Sequence, residues 1–199
     1  MNNNTVWHSS IITRAHREKQ NEHKSIVLWY TGLPSSGKST LAHAVEEKLY
    51  SIGYRSFVLD GDNVRQKLCS DLGFSIQDRK ENIRRIAQVA NLFKEAGFII
   101  MTAFISPFRD DRQYAKELIG ESDFVEIFCN CDIEICEQHD TKGHYREARL
   151  GVIKEFTGIS SPYEVPENPD LNIVTGKLPL EECVNIIVSY LRDNGIIKN

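Results

Sequence analysis

No stretch of the 199-residue chain stays apolar for the ~18–20 positions that a membrane-spanning helix needs. Nor is there an excess of positive charge. Lys and Arg number 24 against 28 Asp and Glu, a net charge of −4 that argues against a general nucleic-acid surface. A local basic cluster serving a small anion remains compatible with that balance. The five cysteines, Cys69, Cys129, Cys131, Cys136 and Cys183, include no C-x-x-C pair and read as reduced thiols. Residues 1–24 are polar, carrying His8, Arg14, His16, Arg17 and Lys19, and lack the apolar core of a secretory signal. A cytoplasmic location is therefore expected. Neither an internal repeat nor a low-complexity linker is found, and 41% hydrophobic with 26% charged residues is ordinary globular composition. The expectation is one domain over 25–199 behind a polar extension, 1–24.

Apolar, β-rich runs recur at Ser25–Thr31, Ser56–Asp60, Phe98–Ile105, Phe124–Cys129 and Leu171–Thr175. Nearly continuous runs of this kind suit strands buried on both faces of a parallel sheet. Helical periodicity lies between them. Leu41, Val45, Leu49 and Ile52 share one face, as do Ile83, Ile86, Ala90 and Phe93 before a stop at Gly97, and Val184, Ile187 and Leu191 mark a last helix. Alternating strands and helices predict an α/β fold, a doubly wound and mostly parallel five-stranded sheet flanked by helices. Its ligands should sit at the carboxyl ends of the strands. Residues 138–169, rich in charge, Gly and Pro, break the rhythm and read as a mobile lid.

The run Gly32-Leu33-Pro34-Ser35-Ser36-Gly37-Lys38-Ser39-Thr40 fits G-x-x-x-x-G-K-[ST] between a strand and a helix, the setting that a phosphate-binding P-loop requires. Its glycines let backbone amides turn toward phosphate oxygens, and the helix N-terminus adds partial positive charge. Lys38 would reach the β- and γ-phosphates of ATP, and Ser39 would ligate Mg²⁺. An N-K-x-D segment, with which a GTPase reads its base, is absent from the sequence. A small-molecule kinase is the leading class.

The second strand runs into Asp60-Gly61-Asp62-Asn63-Val64-Arg65. Two carboxylates at a strand end near the P-loop suit Mg²⁺, at Asp60, and a base for a hydroxyl nucleophile, at Asp62. Asp62 could instead be a helix N-cap. Phe74 and Phe156, taken alone, read as core aromatics before they read as partners of a flat base. Ser106 falls at the end of the third strand, as a site residue or a cap before Pro107. Cys131, Cys136, His139 and His144 match no usual zinc spacing and read as buried thiols and lid polar groups.

Asp60–Arg65, Asp71-Leu72-Gly73-Phe74, Asp78-Arg79-Lys80-Glu81-Asn82-Ile83-Arg84-Arg85, Phe104-Ile105-Ser106-Pro107-Phe108-Arg109 and Lys154-Glu155-Phe156-Thr157-Gly158-Ile159 together resemble the adenylyl-sulfate kinase family. Val6-Trp7-His8 and His23-Lys24-Ser25 resemble its bacterial members, and the motifs run in the same order to about Pro169. The resemblance implies transfer of the ATP γ-phosphate to the 3′-hydroxyl of adenylyl sulfate, with Mg²⁺ bound through Ser39 and Asp60. It implies Asp62, Lys38 and Ser106 as catalytic. Arg65, Arg79 and Asn82 are implied to hold the phosphosulfate and ribose, with Phe74 and Phe156 against the two faces of the adenine. Ile105, Ser106, Lys142, Lys154 and Gly158 complete the implied acceptor site; His139 and Arg149 join residues 32–40 around ATP. The family's matching serine is often assigned as a phosphoserine intermediate. Direct in-line transfer is preferred here, because Asp62 already offers a base. A homodimer is implied, as is a separate ATP sulfurylase upstream.

The lid departs from the family pattern, with His139 where an arginine is usual, Thr141 in place of a proline and Glu147 in place of a lysine. A histidine is shorter than arginine and mostly neutral at physiological pH, so a weakened or redistributed grip on ATP is expected. Two other readings stand beside the leading one. One is another P-loop kinase, of a nucleoside or a sugar, although a sugar acceptor would not need the two phenylalanines; the other is a regulator without turnover, which would not need Lys38, Ser39, Asp60 and Asp62 together.

Overall fold

A computed structural model of the chain describes residue 6 and residues 8–198. Trp7, part of the N-terminal resemblance, lies outside the described residues. Helix α1 (Arg14–Asn21) leads into strand β1 (Ile26–Thr31), helix α2 (Lys38–Ser51) and strand β2 (Ser56–Asp60). Next come the short α3 (Gly61–Arg65), the long α4 (Ile76–Glu95), β3 (Ile99–Ala103), α5 (Arg109–Ile119) and β4 (Phe124–Cys129). Helices α6 (Ile133–Gln138) and α7 (His144–Arg149), strand β5 (Leu171–Ile173) and helix α8 (Leu180–Asp193) complete the order.

The five strands pair in the order β2-β3-β1-β4-β5, and every pairing is parallel. All six residues of β1 are buried, as its place in the middle demands. Alternation along it divides the core. Ile26, Leu28 and Tyr30 pack with residues of α2 and α8 on one face, while Val27 and Trp29 pack with residues of α4 and α5 on the other. The sheet is thus doubly wound, and its order reverses at β1, whose carboxyl end opens on a crevice. A third, smaller cluster joins Cys131, Cys136 and Tyr145 to Leu33 of the glycine-rich loop and to Phe156 and Ile159.

Two strands end earlier than the sequence suggests. The run expected over Phe98–Ile105 is a strand only over Ile99–Ala103, because Ser106 is left-handed (φ 37°) and Pro107 follows. The last strand stops at Ile173 instead of Thr175. Gly97 closes α4 as expected, with φ 90°, and a Cβ there would stand 2.8 Å from the Arg17 Cβ. The helix it meets is α1, which the polar sequence did not suggest. Arg14 pins that helix down by donating to both carboxylate oxygens of Asp123 and to the Ser25 hydroxyl, and Asn21 donates to the Gly97 carbonyl at 2.8 Å.

Candidate active site

Strand β1 delivers Thr31 directly into Gly32, and α2 opens at Lys38 behind a left-handed Gly37 (φ 86°). Gly32 allows no side chain, since a Cβ would stand 2.7 Å from the Cys129 carbonyl oxygen and from the Ser36 hydroxyl. Lys38 is buried, and its ammonium donates to the carbonyls of Gly32 (3.0 Å) and Leu33 (2.5 Å). Burial pushes its pKa down to about 8. A cavity of about 410 Å³ opens beside the loop, lined by Gly37, Lys38, Thr40, His139, Thr175 and Leu178 among others. His139 therefore meets the loop. Arg149 does not line the cavity; it is exposed and donates to Glu137. Thr175 and Leu178 were not legible as site residues. Thr175 earns its place by donating to the Ser36 carbonyl at 2.7 Å, a contact formed only when the end of β5 meets the loop.

At the end of the neighbouring β2–β3 pair stands the carboxylate group. The Ser39 hydroxyl donates to Asp60 Oδ2 at 2.6 Å. Asp60 Oδ1 accepts from the backbone amides of Asp62 (2.9 Å) and Asn63 (3.3 Å), so Asp60 caps α3 and Asp62 does not. Asp62 is left with an exposed carboxylate that accepts from Lys142 Nζ at 2.5 Å. This contact raises the Lys142 pKa, chiefly through the hydrogen bond. Lys142 thereby reaches Asp62 from 80 residues away in sequence.

Arg79, expected against the phosphosulfate and ribose, joins two loops in this structure. It is buried; Nε donates to the Phe74 carbonyl (2.8 Å), Nη1 to the Thr157 hydroxyl (2.5 Å) and Nη2 to the Glu155 carbonyl. Its donors are thus engaged in joining the Phe74 loop to the Phe156 loop. Arg65 lies over the Phe74 ring at 4.5 Å from its centroid and donates to the Gly73 carbonyl at 2.8 Å. Phe74 is 63% exposed, more than a core aromatic would be. Phe156 is half-buried, edge-on to Tyr145 with centroids 4.9 Å apart. Asn82, one turn after Arg79, is buried, and its Oδ1 has no hydrogen-bond partner among the described residues. Lys154 is exposed. Gly158 packs against the P-loop, where an added Cβ would stand 2.8 Å from Leu33 Cδ2.

Ser106 lies three residues beyond β3, not at its end, and does not cap α5, whose N-cap is Phe108. Its hydroxyl is buried and accepts from the Trp29 indole N–H at 3.1 Å. The Ile105 carbonyl accepts from Thr31 at 2.8 Å. The thiols of Cys129 and Cys136 are pushed up to about 12, mainly by burial, which keeps them protonated and suited to packing.

Comparison with known proteins adds to this geometry. Residues 24–174 match the sequence model of the family described as Adenylylsulphate kinase. The adenylyl-sulfate kinase of Acaryochloris marina is 54% identical over 195 residues, covering 98% of this chain and 95% of that protein. The structure of the Mycobacterium tuberculosis APS kinase CysC in complex with AMPPNP and APS superposes with a TM-score of 0.82 at 41% identity, covering 85% of this chain and 99% of that one. The hexameric APS kinase from Thiobacillus denitrificans gives a TM-score of 0.68 at 33% identity, covering 92% of this chain and 32% of that one.

Proposed function

The chain belongs to the adenylyl-sulfate kinase family, and on that premise we propose how its residues divide the labour of moving the ATP γ-phosphate to the 3′-hydroxyl of adenylyl sulfate. The observation that carries the proposal is the meeting of Ser39, Asp60, Asp62 and Lys142 beside the P-loop. Residues 32–40 cradle the phosphates, and Lys38 leaves its carbonyl partners for the β- and γ-phosphate oxygens. ATP's base lies along His139, Thr175 and Leu178 in the adjoining cavity. Asp62 orients the 3′-hydroxyl and takes its proton as the new O3′–phosphorus bond forms. The bond from the γ-phosphorus to the bridging oxygen breaks, and ADP leaves. Lys142 sits on Asp62 at 2.5 Å, so the hydroxyl replaces or shares that contact.

Magnesium fits the residues present. The Ser39 hydroxyl and the Asp60 carboxylate are hard oxygen donors 2.6 Å apart next to Lys38. When bound there, the ion neutralises charge on the β- and γ-phosphate oxygens. Phe74 and Phe156 hold the adenine of adenylyl sulfate, on loops that Arg79 fastens together. Asn82 offers its unpartnered carbonyl oxygen to a hydroxyl donor. Arg65, Lys154 and Ile105–Ser106 complete the acceptor site, and residues 138–169 act as its lid on a catalytic unit spanning 25–199. Direct transfer is favoured over a phosphoserine, because the Ser106 hydroxyl is buried and engaged by Trp29.

The enzyme is placed in the cytoplasm, supported by five free, buried cysteines, which suit a reducing compartment. Among the described residues no helix is long and apolar enough to cross a membrane. A homodimer and a separate ATP sulfurylase supplying the acceptor complete the proposal. The test is ADP release with and without adenylyl sulfate, with Asp62→Ala as control. Stimulation by adenylyl sulfate that disappears in Asp62→Ala is expected; no stimulation of the wild type refutes the reading.

A further inference from the structure

Left-handed backbone at a residue other than glycine costs roughly 1–2 kcal/mol, so something must hold Ser106 at φ 37°. Its carbonyl accepts from the Thr31 hydroxyl at 3.3 Å and, more closely, from Arg112, a residue of α5 that is only 3% exposed. Its Nη1 donates to the Ser106 carbonyl at 2.7 Å. Its Nη2 donates to the Glu164 carbonyl at 2.8 Å, and Nε to Glu126 Oε1 at 2.7 Å. The carboxylate offsets the cost of burying the guanidinium, leaving the other two nitrogens to join two backbone segments.

Those two segments are also bound to each other. The Glu164 amide donates to the Pro107 carbonyl at 2.8 Å, and the Glu164 carboxylate accepts from the Arg109 amide at 2.7 Å. The Tyr163 hydroxyl lies 3.0 Å from the Thr31 hydroxyl, which itself donates to Ile105. Tyr163 and Glu164 are therefore fastened to the turn at 105–107, to the start of α5 and to the last residue before the P-loop.

We infer that Arg112 is a positioning residue for the acceptor: it holds the Ile105–Ser106 turn and the root of the lid in one fixed relation. The inference rests on the acceptor site proposed above, since it gives a function to residues that Arg112 holds and does not itself present to substrate. Two consequences follow from the geometry. The moving part of the lid ends before Tyr163, and loss of the Arg112 tie loosens adenylyl sulfate while sparing ATP, because Arg112 donates to nothing in residues 31–40 and that loop keeps the bond from Thr175 to the Ser36 carbonyl.

The test is steady-state kinetics of Arg112→Lys, with both substrates varied and folding checked by thermal unfolding. Lysine keeps the charge opposite Glu126 but cannot span three divergent acceptors. Losing one or two buried hydrogen bonds predicts a rise of roughly five- to thirtyfold in the KM for adenylyl sulfate. The KM for ATP should stay within about twofold of the wild type. Equal rises in both KM values, or no rise in either, overturn the inference. If Arg112→Lys does not fold, Glu164→Ala decides. It removes the carboxylate that accepts from the Arg109 amide, a bond between the same two segments that leaves the P-loop untouched, and should raise the adenylyl-sulfate KM selectively, by roughly two- to fivefold; an unselective or absent change overturns the inference. A wild-type enzyme without adenylyl-sulfate-dependent ADP release removes the functional reading itself. That result is separable from any effect of the variants.

Discussion

Asp60→Asn separates two roles that this aspartate carries on its two oxygens. Oδ1 caps α3 by accepting from the amides of Asp62 and Asn63, and Oδ2 accepts from Ser39 at 2.6 Å. Asparagine keeps a carbonyl oxygen for the cap and is about as good there as aspartate. Folding stability should therefore change by no more than about 0.5 kcal/mol, or roughly 1–2 °C in Tm for a chain of this size. The charge beside Ser39 is lost. A charge-assisted contact is worth about 1.5–3 kcal/mol, which corresponds to roughly ten- to a hundredfold in kcat/KM. Asp60→Ala removes the cap as well and should lower stability by a further ~1 kcal/mol. Thermal unfolding reads the first role. ADP release titrated with magnesium at fixed ATP and adenylyl sulfate reads the second. The expected Asp60→Asn enzyme unfolds near the wild-type Tm and needs roughly tenfold or more magnesium for half-saturation. An Asp60→Asn enzyme that keeps both its turnover and its magnesium midpoint would refute the assignment of Asp60 to the metal.

Three further outcomes are expected. Because burial holds Lys38 down to about 8, ATP binding should take up a proton as pH rises through about 8, with affinity falling above it. The same depression makes the unfolded chain bind more protons between about 8 and the unperturbed 10.5, so this group's contribution to stability rises with pH across that window. Calorimetry in buffers of different ionisation enthalpy, at pH values on either side of this pKa, measures the uptake; none on the alkaline side contradicts it. His139→Arg should lower the ATP KM by roughly two- to fivefold through a cation–π contact with the base. An unchanged ATP KM removes His139 from the account. Gly158→Ala combines φ 90° with a 2.8 Å approach to Leu33 Cδ2, so it should cost about 1–3 kcal/mol and raise the KM of both substrates. A selective effect on one substrate would show that Leu33 and the P-loop are not displaced.

Some of the site was legible because its signals are local. The P-loop, the paired carboxylates after β2 and the buried parallel strands each follow from neighbouring residues and simple periodicity. Other features depend on contacts that no spacing discloses. The resemblance implied Arg79 beside the phosphosulfate and ribose, but nothing in the sequence discloses that Nε, Nη1 and Nη2 each donate to a carbonyl or hydroxyl of the Phe74 and Phe156 loops. Arg112 carries no motif signal at all, since two of its partners are backbone carbonyls of residues 106 and 164. Asp62 read as a possible cap in sequence, yet the cap is Asp60, whose Oδ1 accepts from the amides of Asp62 and Asn63 at the turn into α3. Helix α1 escaped notice because it is polar and owes its place to Arg14 and Asn21 reaching residues 123 and 97, not to an apolar stripe.

The strand order has one more consequence. The carboxylates leave β2, the Ser106 turn leaves β3 and the phosphate loop leaves β1, and these three strands are consecutive neighbours. Adjacent strands stand about 4.8 Å apart whatever their side chains. The sheet thus acts as a ruler, spacing the roots of the Asp60–Asp62 carboxylates, the Ser106 turn and the phosphate loop in fixed steps. Loops and lid can change sequence, as His139 and Thr141 show, without recalibrating it.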